Sequence, residues 1–166
     1  MKNLTLITLF IISTISLIGQ SDIDIPSRKG KVAIETGASL LGGIIGGGSG
    51  VGVLAGFEGD TFVNFQFDGG FFVSERFVIK ANVGLIAADD ALAIIGTGVK
   101  YYFGDRIPVQ ILGTVITGDG SVFSGYGSIG YAARLAPNIN LEPSLGVRVF
   151  GGAGILDLST KFVMFF

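Results

Sequence analysis

The chain has no cysteine and no histidine. Without cysteine there are no disulfides, thiolate nucleophiles, Cys-ligated zinc or iron–sulfur centres, and no lipoprotein acylation. Without histidine, the commonest general base and the commonest transition-metal ligand go together. A Ser–His–Asp acyltransferase or protease is thereby excluded, and the chain is expected to be no enzyme and to hold no cofactor or metal. Charge is scarce as well. Only 14% of residues are charged, against about 25% in soluble domains, and mean hydropathy is +0.68. The formal charge of −2 becomes −3 if Lys2 leaves with a leader, so nucleic acid is not an expected partner.

Long uncharged segments are also few. One is N-terminal: Lys2 precedes an apolar stretch from Leu4 to Ile18, which exits through Gly19, Gln20 and Ser21. Its length falls short of the ~20 residues of a spanning helix, and its flanks fit a secretory leader. Residues 1–20 are read as a signal peptide, 21–30 as a short polar tail whose portion through Pro26 need not be ordered, and 31–166 as one domain. The other runs from Thr36 to Phe57 and includes small-xxx-small spacings such as Gly42/Gly46. Its nine glycines would each cost a helix about 1 kcal/mol relative to alanine. It reads instead as the top of one strand, an outer loop over 42–59, and the start of the next strand. Gly50, Gly52 and Ala55 fit G-x-G-x-x-A, but no helix follows and no βαβ unit surrounds them.

What the chain has in quantity is alternation with period two, the signature of strands with two unlike faces. Eight strands are predicted, over residues 31–41, 62–73, 77–87, 91–103, 109–117, 123–135, 139–150 and 156–166. In the last, Leu156, Leu158, Thr160, Phe162, Met164 and Phe166 oppose Asp157, Ser159, Lys161, Val163 and Phe165. In 139–150, Leu141, Leu145, Val147 and Val149 oppose Asn140, Glu142, Ser144 and Arg148. In 123–135, Ile129, Ala133 and Leu135 oppose Ser124, Tyr126, Ser128 and Arg134. The weakest is 109–117, where Leu112 and Ile116 fall on the polar side. Strands of this length suit the ~9–11 residues of a tilted membrane crossing. The fold class expected is all-β, an eight-stranded antiparallel up-and-down transmembrane barrel with lipid-facing apolar parity and both ends periplasmic.

The polar parity collects Glu35, Asp68, Glu142 and Asp157 with Lys80, Lys100, Arg134, Arg148 and Lys161. Near-balanced charge in a lumen barely wide enough for side chains reads as an ion-pair plug rather than a conducting lining. The loop acids Asp60, Asp89, Asp90 and Asp119 could gather Ca²⁺, but they lack EF-hand spacing and read as solvated. A lipid-side charge, Val147→Arg, is expected to cost ~2–4 kcal/mol, and Ser144→Arg on the lumen side less.

Several patterns coincide in order. Gly70-Phe71-Phe72-Val73-Ser74-Glu75-Arg76-Phe77 resembles a strand–turn–strand motif of small outer-membrane barrels of Bacteroidota type, an eight-stranded, OmpX- and OmpA-transmembrane-like family. Gly98-Val99-Lys100-Tyr101-Tyr102-Phe103 followed by Pro108 is similar to that family's next turn. Leu141-Glu142-Pro143-Ser144-Leu145-Gly146 resembles its seventh strand, and Phe166 its closing aromatic. The stretch from Gly42 to Gly56 departs from the family in its glycine content. The resemblance implies a monomer in the Gram-negative outer membrane, among lipid and lipopolysaccharide. It also implies periplasmic chaperones and a barrel-assembly machinery that engages the last strand through Phe162, Met164 and Phe166. The expected role is structural or surface-interactive. Two alternatives stand: a narrow channel for ions or small solutes, and a soluble lipocalin-like carrier with its apolar parity turned inward.

Overall fold

A computed structural model describes residues 27–39, 50–55, 61–87, 91–118 and 120–166. Residues 1–26, which include the expected signal peptide, lie outside the described residues, as do Asp60, Asp89, Asp90 and Asp119. Ten strand segments follow in order: β1 (Val32–Ser39), β2 (Gly50–Ala55), β3 (Thr61–Phe72), β4 (Phe77–Ala87), β5 (Ala91–Phe103), β6 (Ile107–Thr117), β7 (Ser121–Gly130), β8 (Ala133–Ala136), β9 (Ile139–Phe150) and β10 (Ala153–Phe165).

All pairings are antiparallel; from β2 to β7 each strand pairs with the next in sequence, β9 pairs with β7, β8 and β10, and β1 closes the sheet by pairing with both β10 and β3. The closing register runs from Ala33↔Phe165 to Ser39↔Ser159. The result is a closed barrel of eight staves. Closure through β1 joins the first and last staves along their paired residues, and internal pairing of this kind is the condition for a sheet to stand without water on its outer face.

Two staves are composite, and neither break is legible in the alternation. β7 and β8 both pair with β9, separated by Tyr131 and Ala132. The break lies against Pro143, whose carbonyl accepts from Tyr131 N at 3.0 Å but which has no N–H to return. Ala132 hydrogen-bonds to Arg106 O instead. Ala132 and Ala133 are both buried, so Ala133, placed on the outer face by alternation, is covered. The second composite stave corrects the loop expected over 42–59, because Gly50–Ala55 is strand. β3 pairs with β1 over Val32↔Phe71 to Glu35↔Asp68, and with β2 over Gly50↔Gln66 to Ala55↔Thr61. Above Glu35, β2 thus takes the ladder positions along β3 that β1 leaves.

The turn between β9 and β10 shows why glycine is placed where it is. Gly151 and Gly152 take φ of 55° and 84°, the left-handed pair that a two-residue hairpin needs to match strand twist.

The apolar parity faces outward, with Ile111 66% and Phe123 75% exposed, and the polar parity faces inward. This orientation is the reverse of a lipocalin-like carrier, whose apolar side chains would line a central cavity. The doubtful strand resolves in the same sense: Leu112 and Ile116 do point inward, and Ile116 joins Ile86, Ile94 and Leu92 in an apolar cluster.

Candidate functional site

The interior is filled in layers along the barrel axis. At the end where β1 begins and β10 finishes, the termini end, Phe72, Tyr102 and Phe165 form an aromatic floor with Ala33, Val78, Ala132 and Val163. Phe72 stacks on Tyr102 at 5.9 Å between centroids and meets Phe165 edge-on at 5.5 Å.

Above the floor lies an ionic layer. Glu35 is its hub, with Lys80 at 2.7 Å, Lys100 at 2.8 Å and Lys161 at 3.4 Å. Lys161 also reaches Asp68 at 3.3 Å, Lys80 reaches Asp68 at 3.5 Å, and Lys100 reaches Glu142 at 2.6 Å. Three carboxylates face three ammonium groups, so the layer is neutral overall. Neutral polar groups complete it. Asn82 donates to Asp68, Lys80 donates to Gln110 at 3.0 Å, and Tyr102 Oη and Asn140 donate to Glu142 at 2.9 and 3.3 Å. A charge taken out of water is tolerated only when paired and hydrogen-bonded, and each of these six has an ionic partner within 4 Å.

A third layer holds Arg148 and Asp157 on neighbouring strands, diagonal across the register in which Ile155 faces Arg148 and Asp157 faces Gly146. Arg148 donates to Ser124 at 3.2 Å and lies 4.9 Å over the Tyr126 ring. Gly146 makes room for that ring, since a Cβ there would lie 2.7 Å from it. The apolar Ile86, Ile94 and Ile116 fill the lumen toward the opposite end. The lining of the lumen is therefore not polar throughout, as the alternation suggests.

Of the nine residues predicted for the polar face, Glu35, Asp68, Lys80, Lys100, Glu142 and Lys161 come together in one layer and Arg148 and Asp157 in the next. Arg134 does not join them. It is half-buried at the termini end, where β8 pairs it with Asn140, and its charged neighbours are Arg28, Arg106 and Asp105. Within the ionic layer a cavity of about 10 Å³ lies among Lys100, Gln110, Ser128, Glu142, Ser144 and Lys161. That is room for about one water molecule. Among the described residues, no group of three or more His, Cys, Asp or Glu side chains could hold a metal ion.

One residue of the site carries no alternation signal. Arg28 belongs to the stretch read as a polar tail, yet it is only 2% exposed. Its guanidinium closes the aromatic floor from below, 4.8 Å from the Tyr102 centroid and 5.9 and 5.7 Å from those of Phe72 and Phe165. Cation–π contact of this kind is strongest when desolvated. Around it the backbone is clasped: Gly30 N donates to Phe72 O at 2.8 Å, and Glu75 accepts from Ser27 Oγ at 2.7 Å and from Arg28 N at 2.8 Å. A basic residue in a polar segment gives no period to read, and only the nearby Phe72 and Tyr102 could have hinted at a cage.

The clasp is pH-sensitive. The hydrogen bonds from Ser27 and from the Arg28 backbone stabilise the ionised form of Glu75 and hold its carboxyl below the ordinary value of 4.5. Glu75 therefore helps hold the tail above about pH 4.5, and its contribution is lost as pH falls through the lower folded value. Limited proteolysis with an acid-active protease is expected to cleave the 27–31 segment faster as pH falls below that range. The variant Glu75→Gln should cleave at the fast rate throughout. A wild-type rate that does not change with pH would refute the clasp. Next to it, Arg76 donates to Asp105 at 3.2 Å and is held more firmly protonated by that bond.

No family model matches the chain, and no curated protein matches it in sequence. Among solved structures, the chain is similar to the N-terminal β-barrel domain of Pseudomonas aeruginosa OprF, with a TM-score of 0.55 at 10% identity over 83% of this chain and 98% of that one. A de novo designed transmembrane β-barrel aligns with a TM-score of 0.48 at 12% identity over 84% of this chain and 98% of that one. At such identity the likeness to the OprF domain is one of fold, and it agrees with the pairing already described. The chain has the closed eight-stranded antiparallel architecture of transmembrane β-barrels.

Proposed function

We propose that this chain is an integral outer-membrane barrel, exported with residues 1–20 as its signal peptide, whose lumen is a structural plug and whose role is structural or surface-interactive. The observation that carries the reading is its inverted polarity: ions packed inside and bare aliphatic and aromatic side chains outside. Burial of that outer face in water-free surroundings is the only way to remove it from water without a partner protein. The termini end then faces the periplasm. Chaperones and the barrel-assembly machinery would meet the last strand at Phe162, Met164 and Phe166, of which Phe162 and Phe166 are exposed.

A channel is the poorer reading, because conduction needs a continuous water path and the cavity among Lys100, Gln110, Glu142 and Lys161 has space for about one water. Expressed with its leader, the protein should sediment with outer membranes and run faster on gels before heating than after. Recovery as a folded monomer from a detergent-free extract would refute the membrane reading. Steady conductance through planar bilayers, altered by substituting Lys161 or Glu142, would replace the plug by a channel.

A further inference from the structure

The side-chain charges of the barrel are sorted by height. Inside, Glu35, Asp68, Glu142 and Asp157 face Lys80, Lys100, Arg148 and Lys161 and leave no net charge. In sequence, the residues that follow β2, β4 and β6, 56–60, 88–90 and 118–120, carry only acids among their charged groups. The termini end has the opposite character. Among the described residues its rim holds Arg28, Lys29, Lys31, Arg76, Arg106 and Arg134 against Glu75 and Asp105, and in sequence the preceding residues 21–26 add Asp22 and Asp24.

Both described rim acids are already engaged. Glu75 is turned to the tail's Ser27 and Arg28 backbone, and Asp105 lies between Arg76 at 3.2 Å and Arg28 at 3.8 Å. Lys29, Arg76 and Arg106 are exposed and Lys31 is half-exposed. They come from the tail, the β3–β4 turn and the β5–β6 turn, so the excess is spread around the mouth rather than gathered in a pocket. Directly beside it the outer wall exposes Phe71, Tyr101, Phe103 and Phe166, side chains that settle at a membrane–water interface. The rim therefore sits at headgroup level.

We infer that this cationic rim binds the anionic phospholipid headgroups of the leaflet it faces, selecting them from zwitterionic neighbours and fixing the barrel's depth and orientation. The inference rests on the membrane reading above. A distributed ring beside an aromatic belt fits a shell of lipids, whereas a single bound anion would need converging donors. Each exposed cation near an anionic surface is worth about fivefold in partition.

The test uses the full chain without its leader, refolded into phosphatidylcholine vesicles containing trace spin-labelled phosphatidylglycerol or spin-labelled phosphatidylcholine. The relative association of the two labels with the protein is then read. Wild type is expected to favour phosphatidylglycerol severalfold, and the preference should fall toward one in high salt. The combined variant Lys29→Gln, Lys31→Gln, Arg76→Gln, Arg106→Gln should lose it at low salt while keeping heat-modified migration. A wild-type ratio of one overturns the inference, as does a preference insensitive to salt. Persistence of the preference in the combined variant overturns it too. If that variant does not refold, the salt titration of wild type decides alone. Failure of wild type to insert into either lipid would count against the membrane reading itself.

Discussion

Glu35→Gln is expected to destabilise the barrel by about 3–5 kcal/mol, the cost of leaving buried charges without their partner. Glutamine keeps the shape and hydrogen-bonding capacity of glutamate, so the loss reports charge and not a cavity. Glu35 lies within 4 Å of Lys80, Lys100 and Lys161. Once it is neutral, three buried ammonium groups share Asp68 and Glu142. Reversible urea unfolding in lipid vesicles measures the change. The double variant Glu35→Gln, Lys80→Met restores the charge balance and should recover a large part of the loss. A single-variant cost below about 1 kcal/mol, in the range of exposed pairs, would mean that water reaches the layer and that the plug is wet.

Val147→Arg is expected to cost ~2–4 kcal/mol in a bilayer, because it sets a charge on the lipid face of β9 near mid-height. Ser144→Arg, which alternation alone makes the milder change, is not spared. Ser144 Oγ lies 2.8 Å from Ser159 Oγ and borders the cavity of about 10 Å³ shared with Lys100 and Lys161. A guanidinium has neither room there nor an unspent acid, so overpacking and like charge add to each other. The two variants separate by solvent. The penalty at Val147 belongs to the hydrocarbon and should shrink in detergent micelles, where the face can be wetted. The penalty at Ser144 belongs to the protein interior and should stay the same. Equal behaviour of both in micelles and bilayers would overturn the face assignment.

Most of the wall was legible in the residues because a closed antiparallel barrel with unlike inner and outer environments demands strict alternation. Along β10, Asp157, Ser159, Lys161, Val163 and Phe165 are the buried parity, and Leu156, Phe162 and Phe166 are exposed. Illegible were the places where local rules yield to neighbours. Nothing in Gly50–Ala55 announces a strand until the ladder positions along β3 above Gln66 need a partner. Nothing near Tyr131 announces a break until Pro143, twelve residues on, fails to return a hydrogen bond. Ile116 weakened the reading of β6 because a polar lumen was assumed, whereas the far layer of that lumen, with Ile86, Ile94 and Ile116, is apolar; Leu112 points inward below it.

From its residues alone the chain determines the number of staves, the face that most side chains take, and the exclusion of cysteine and histidine chemistry, because period-two alternation and composition are properties of the covalent order. Only the tertiary structure decided who meets whom. Glu35 and Lys161 are 126 positions apart, and Arg28 finds its three rings on β3, β5 and β10. Alternation states that a side chain points inward but not at what height. Height depends on the stagger of the staves, which is set by ladder pairing around the whole closed circuit.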